Sequence, residues 1–306
     1  MTAAVRVGTR GSPLALAQTE EVVGRLRSIH PTLRVEPVVI QTHGDEGYRE
    51  DLGTAFDGKR AFTKRIEDAL VEGHIDFAVH SLKDVPIETA AGLVIAAIPP
   101  REDPRDVLVG TDTVRPEDLG PGVRVGTSSL RRRAQLLSRW PGLEINDLHG
   151  NVNTRLRRLD SRDFDAIVVA AAGMRRLQIM DRFIHPLPPE MMTPAPGQGA
   201  LALEARKGDR SVLDLLSAID DPGTRRATEA ERTLSARVGG GCNVPFGALA
   251  TLDRGMTLRA VLADPDGRRL IRSEEHGDES SWKEIVDSVW ENLLQQGGSD
   301  LVSEAG

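Results

Sequence analysis

The chain has 306 residues, with 39% hydrophobic and 28% charged residues, a formal net charge of −7 and a single cysteine. That length exceeds one comfortable core and implies two or three domains, while net acidity and only 3% aromatic residues argue against a base-stacking nucleic-acid surface. One cysteine excludes an internal disulfide framework, no run of 18 apolar residues occurs, and residues 1–10 lack a signal-peptide core, so a cytoplasmic protein without membrane contact is expected.

In chain order, Val5-Arg6-Val7-Gly8-Thr9 reads as a short strand, followed by a Gly/Thr/Ser turn and a helix. Ser12 is its expected N-cap, with Pro13 at the first helical position. The strand recurs as Val123-Arg124-Val125-Gly126-Thr127, and each copy leads to an Ala-Gln pair, Ala17-Gln18 and Ala134-Gln135. A second correspondence follows in the same order, Asp76-Phe77-Ala78-Val79 with Asp165-Ala166-Ile167-Val168-Val169. Strands alternating with helices predict two similar α/β domains with parallel sheets.

Ile98-Pro99-Pro100-Arg101 separates the two copies, and the proline-rich residues 186–196 lead into a strand, Ala200-Leu201-Ala202-Leu203, expected to cross back to the first domain. A third unit starts at Asp221-Pro222-Gly223. It has a predicted helix over 224–237 and strands over 248–252, 257–263 and 270–273, joined by Asp253-Arg254-Gly255 and Pro265-Asp266-Gly267 turns. Trp282, Ile285, Val286, Val289, Trp290, Leu293 and Leu294 repeat at helical spacing and are assigned to core. The expected domains are residues 1–99 plus 198–220, residues 100–197, and residues 221–306.

Charge is unevenly spread. Residues 101–185 hold fifteen arginines and no lysine against twelve acidic residues, whereas the remainder holds 24 basic and 34 acidic residues. Arginine's rigid fork suits carboxylate and phosphate, although codon composition accounts for part of the preference. Ligands of open α/β sheets bind outside the carboxyl ends of the strands. The two Gly-Thr turns sit at such ends, each before a helix N-terminus that favours anions. Facing one another across a hinge, they would line an anion-binding cleft.

Three segments carry chemistry. Val79-His80-Ser81-Leu82-Lys83-Asp84-Val85-Pro86 ends a strand in a polar cluster, where a catalytic carboxylate such as Asp84 could stand; from spacing alone a turn cap beside a solvated lysine is the better explanation. Gly126-Thr127-Ser128-Ser129-Leu130-Arg131-Arg132-Arg133 puts three arginines on a first helical turn, against the macrodipole, so an anion is expected there. Asn151, Arg155 and the Arg175-Arg176 pair follow similar strand-to-helix transitions. Gly239-Gly240-Gly241-Cys242-Asn243 gives the sole cysteine an open, flexible backbone, which favours covalent use over a packed structural role. No cysteine cluster or histidine spacing points to a metal.

These segments, with Gly8-Thr9-Arg10-Gly11-Ser12-Pro13, Arg101-Glu102-Asp103-Pro104-Arg105-Asp106, Gly150-Asn151-Val152-Asn153-Thr154-Arg155 and Pro196-Gly197-Gln198-Gly199-Ala200, resemble in order those of the hydroxymethylbilane synthase (porphobilinogen deaminase) family. The resemblance implies three domains, the first two similar to type II periplasmic binding proteins and the third a small α+β domain with an antiparallel three-stranded sheet. It implies a transferase of tetrapyrrole and heme biosynthesis, usually a monomer. Such an enzyme condenses four porphobilinogen molecules onto a dipyrromethane cofactor, here joined by thioether to Cys242, with loss of ammonia each time, and then hydrolyses off linear hydroxymethylbilane. Asp84 takes the catalytic position, stabilising the cationic azafulvene left by ammonia loss. Arg10, Ser12, Ser81, Lys83, Thr127, Ser128, Ser129, Arg131, Arg132, His149, Asn151, Arg155 and Arg176 take cofactor- and substrate-binding positions, and Phe62 matches an aromatic near the cofactor. Residues 44–58, rich in Gly and Asp, read as a mobile lid. Two departures stand out: His149 replaces the usual arginine, and Arg60-Ala61 replaces glycine and a larger apolar residue. A non-catalytic two-domain anion-binding protein is the rival reading; the arginines fit it, but the glycine-flanked Cys242 does not.

Overall fold

The computed structural model describes residues 4–41, 60–111, 114–239 and 244–303, without the side chains of residues 60–62. In chain order come β1 (Val5–Thr9), α1 (Pro13–Ile29), β2 (Val35–Val39), α2 (Arg60–Val71), β3 (Phe77–Ser81), a 3₁₀ turn (Leu82–Asp84) and β4 (Leu93–Ala97). Then follow β5 (Asp106–Gly110), β6 (Arg124–Gly126), α3 (Leu130–Arg139), β7 (Glu144–Asn146), α4 (Val152–Asp160), β8 (Ala166–Ala170), α5 (Ala171–Arg176) and β9 (Phe183–Pro186). The remainder is β10 (Leu201–Arg206), α6 (Arg210–Ser217), α7 (Pro222–Arg237), β11 (Phe246–Leu252), β12 (Met256–Ala263), β13 (Leu270–Gly277), α8 (Trp282–Gln295) and α9 (Gly298–Ser303).

The chain divides into two compact units, Met1–Glu102 with Ala200–Arg225, and Asp103–Gly199 with Arg226–Gly306. The first holds a sheet in the order β2-β1-β3-β10-β4; the second holds one in the order β7-β6-β8-β5-β9 and the three-stranded sheet β11-β12-β13. The five-stranded sheets are mixed rather than parallel: β10 runs antiparallel to β3 and β4, as β5 does to β8 and β9. Both antiparallel strands are almost wholly buried, and a continuous apolar run carries no direction in its sequence.

The sequence repeat has a physical basis. In the first unit Arg6 donates from its backbone N (2.7 Å), Nε (3.2 Å) and Nη2 (2.7 Å) to Asp76, the residue before β3. In the second, Arg124 makes the same three bonds to Asp165, the residue before β8, at 2.9, 3.3 and 2.9 Å. Each pair locks a central strand to its parallel neighbour. The glycines also recur for a reason. A Cβ on Gly8 would come within 2.3 Å of Ile75 Cδ1, and one on Gly126 would meet Leu148, Phe164 and Ile167 at 2.9–3.1 Å, so a larger residue at either place would force the packed side chains to shift.

Cores lie on both faces of each five-stranded sheet. In the first unit Val22, Val23 and Leu26 of α1 pack on Val7, Phe77, Val79 and Leu203. Ile66 and Leu70 of α2 cover Ile75, Ala78 and Leu93 on the other side. In the second unit α7, α8 and α9 close one face of the three-stranded sheet, and the stripe Ile285, Val286, Val289 and Leu293 is core, as its spacing predicts.

Candidate active site

In the first unit β1 pairs in parallel with β3, so the loops leaving both strands emerge at one sheet edge. From β1 the chain runs through half-buried Arg10 to Ser12, whose Oγ accepts the Ala15 N–H at 3.3 Å and caps α1 as expected. From β3 it enters the 3₁₀ turn bearing Lys83 and Asp84, both half-buried. Two buried residues, Leu82 and Val85, hold that turn. Leu82 N donates to Ala200 O at 3.0 Å, and Val85 N to Leu82 O at 3.1 Å. Ser81 is oriented by Gln18, whose Nε2 donates to its Oγ at 2.8 Å. Asp84 makes no hydrogen bond or ion pair to a described residue. Just inside this edge, buried His80 Nε2 lies 3.1 Å from Glu204 Oε2, and Glu204 Oε1 is sealed without a partner among the described residues.

In the second unit the carboxyl ends of β6, β7 and β8 share one edge, because β6 pairs in parallel with both neighbours. Three hydroxyls follow β6. Thr127 Oγ1 accepts from Ser129 N (3.2 Å), Ser128 Oγ from Leu148 N (2.9 Å) and Ser129 Oγ from Arg132 N (3.4 Å). With lone pairs engaged by the backbone, each hydroxyl keeps its proton for an acceptor. Together with Leu130, Arg133, Asp147, Pro265 and Asp266 they line a cavity of about 300 Å³. Asn151 Oδ1 accepts from Thr154 N at 2.9 Å and caps α4, and Arg155 Nε donates to Gly150 O at 2.8 Å. Gly150 sits at φ +101°, a left-handed turn where a Cβ would also strike Thr154. His149 beside it is exposed. Arg176 Nη2 donates to Gly199 O at 3.1 Å, and its neighbour Arg175 pairs with Asp103 at 2.9 Å.

The anion expected at the arginine-rich start of α3 is a protein side chain. Asp106, the first residue of β5, is fully buried. Its Oδ2 accepts from Arg131 Nη1 at 2.7 Å; its Oδ1 accepts from Arg132 Nε (3.0 Å) and Nη2 (2.8 Å) and from Gln198 Nε2 (3.0 Å). Arg131 Nη1 also reaches Thr193 O, and Arg132 Nη1 reaches Val168 O. Burial pushes the Asp106 carboxyl up, but the charges of Arg131 and Arg132 and bonds from Arg131 and Gln198 outweigh it and hold it well below the usual carboxylate range.

A carboxyl depressed in the folded state adds stability above its unfolded value of about 3.9 and loses it as pH falls below that. Asp76 and Asp103, beside Arg6 and Arg105, are lowered in the same sense despite partial burial, and Asp165 is lowered chiefly by its bond to Arg124. The thermal midpoint is therefore expected to fall continuously from about pH 5 to pH 3; a midpoint constant across that range would contradict these pairings.

Several contributors escaped sequence reading. Gln135, the repeat counterpart of Gln18, is buried and exchanges bonds with the Thr193 backbone, Nε2 to O at 3.1 Å and N to Oε1 at 2.8 Å. Glu231 of α7, also buried, accepts from Gly197 N at 2.6 Å and from Ala250 N at 2.9 Å, tying the turn at Gly197 to β11. Cys242 and residues 44–58 lie outside the described residues, as do the side chains of Arg60, Ala61 and Phe62.

Comparison with known proteins gives consistent matches. The family model described as "Porphobilinogen deaminase, dipyromethane cofactor binding domain" matches residues 5–214, and that of the porphobilinogen deaminase C-terminal domain matches residues 226–295. A porphobilinogen deaminase of Thermus thermophilus is 45% identical over 98% of both chains, and one of Acidithiobacillus ferrooxidans is 44% identical over 99% of both. Among solved structures, the second substrate binding domain of a putative amino acid ABC transporter from Streptococcus pneumoniae aligns with a TM-score of 0.45 at 13% identity, over 71% of this chain and 92% of that one.

Proposed function

The chain belongs to the porphobilinogen deaminase family, and from that premise we propose that it is a transferase joining four porphobilinogen molecules into linear hydroxymethylbilane on a dipyrromethane held by Cys242. The proposal includes a monomer acting in the cytoplasm; no described helix is long and apolar enough to cross a membrane.

The donor set fits a group rich in carboxylates. Thr127, Ser128 and Ser129 offer hydroxyl protons, and Arg131 Nε and Nη2 bond to no described residue. Arg155 and Arg176 add guanidinium groups at the same edge of the second unit, and Arg10, Ser12, Ser81 and Lys83 take the corresponding role in the first. When bound, the dipyrromethane supplies the terminal pyrrole carbon to which the first porphobilinogen is joined.

The observation that carries the catalytic assignment is Asp84, a half-buried carboxylate that bonds to no described residue, on a turn held by backbone bonds of Leu82 and Val85. As ammonia leaves the aminomethyl group of porphobilinogen, positive charge spreads over the substrate pyrrole, and Asp84 opposes it at close range. The same carboxylate would accept the ring proton that the attacking pyrrole gives up. Fixed geometry spares reorganisation at the moment of reaction.

Incubating the purified protein with porphobilinogen tests the reading. One ammonia released per porphobilinogen consumed, with a linear tetrapyrrole as product, is expected. No consumption of porphobilinogen by protein that binds it would favour the rival reading of a non-catalytic anion-binding protein.

A further inference from the structure

The two five-stranded sheets repeat one design, and the copies disagree at a buried spot. β1, β2, β3, β10 and β4 occupy the places that β6, β7, β8, β5 and β9 occupy in the second unit, with the same strand directions. Ser12 and Ser129 cap the equivalent helices. Counting from these caps, Leu14 and Ala15 are the counterparts of Arg131 and Arg132. Leu201 opens β10 opposite Ser81, the last residue of β3, as Asp106 opens β5 opposite Ala170, the last residue of β8. Leu14, Ala15 and Leu201 thus stand in the first unit where Arg131, Arg132 and Asp106 stand in the second.

In the first unit these positions carry apolar residues, Ala15 and Leu201 buried and Leu14 half-buried, so the strand arrangement does not itself require charges there. Three buried charges are a costly substitute, since desolvation opposes them and apolar replacements are often neutral or stabilising. The charges are therefore explained by what they present. Asp106 takes Nη1 of Arg131 and both Nε and Nη2 of Arg132. Arg131 keeps Nε and Nη2, which bond to no described residue and are not sealed from solvent. Two guanidinium groups and one carboxylate leave a single positive charge beside the Thr127–Ser129 hydroxyls.

We propose that Asp106 is a positioning residue for carboxylate recognition: it holds Arg131 with one edge open and trims the arginine pair to a net charge that matches one carboxylate of the bound pyrrole chain. The assignment deepens the function proposed above and rests on it. Without the negative charge, two adjacent guanidinium groups repel one another and demand an external anion. Gln198, bonded to Pro104 O (2.7 Å) and to Asp106, steadies the carboxylate from the opposite side.

Three variants test this. Asp106→Asn keeps the shape and removes the charge; its thermal midpoint is expected to rise with added inorganic phosphate far more than the wild type's, while KM for porphobilinogen increases about tenfold or more. Asp106→Glu is expected to abolish the phosphate dependence. The combined variant Asp106→Leu, Arg131→Leu, Arg132→Ala copies the first unit and is expected to fold with a midpoint at or above wild type, yet to acquire no adduct mass when the cofactor-free protein is given porphobilinogen. A combined variant that fails to fold makes the network a structural requirement and overturns the proposal. So does an Asp106→Asn protein with wild-type KM and no phosphate response. If the wild type itself neither consumes porphobilinogen nor gains adduct mass, the proposed function fails; the midpoint measurements still report on the charge network by themselves.

Discussion

Replacing Asp84 by alanine is expected to leave the protein folded and to lower turnover by at least about a hundred- to a thousandfold, the usual effect of removing a group that faces charge developing in the transition state. The expectation follows from how the turn is built. Its conformation rests on Leu82 and Val85, both buried, and on backbone bonds to Ala200 and within the turn. None of these uses the Asp84 carboxylate, and no described residue loses a hydrogen-bond partner when it is removed. Stability should stay within about 0.5 kcal/mol of wild type, as for a surface change away from packing and networks. Asp84→Asn keeps the size and loses the charge, so it separates electrostatics from shape. Both variants should show a reduced kcat with KM little changed, the pattern of an interaction made chiefly in the transition state. A kcat near that of wild type in either variant, together with an unchanged thermal midpoint, would remove Asp84 from the reaction.

Much of the architecture was legible from residues alone, and the reasons are specific. The Val-Arg-Val-Gly-Thr repeat pointed to two similar domains because each of its polar positions has a fixed structural task. The arginine grips the aspartate before the next strand, the glycine admits a packed side chain, and the following serine caps a helix. The last long helix was legible because its apolar stripe faces a single sheet. Strand direction was not. β5 and β10 are buried apolar runs, and nothing in such a run distinguishes parallel from antiparallel pairing.

Within the candidate site, the helix cap Ser12 and the polar turn at Lys83-Asp84 could be read directly, since both depend on residues close by in the chain. The charge opposite Arg131 and Arg132 could not. It comes from Asp106, some 25 residues upstream, in a segment whose sequence carries no sign of its direction or depth. The protein itself supplies one anion at this position, the Asp106 carboxylate. His149 is exposed beside a left-handed glycine.

Cys242 carries the second large effect. It follows a helix that ends at Arg237 and a glycine, Gly239, at φ +96° with open space where a Cβ would stand. Thioether formation needs a thiolate as nucleophile, and a serine hydroxyl remains protonated at neutral pH and is far less reactive. Cys242→Ser should therefore keep the thermal midpoint of the cofactor-free protein while losing covalent attachment and, with it, essentially all product formation. Intact-mass spectrometry of the purified protein tests this account most directly. A wild-type chain carrying a covalent pyrrolic adduct, absent from Cys242→Ser, is the predicted result; a folded wild type of unmodified mass that gains none when supplied with porphobilinogen would contradict it.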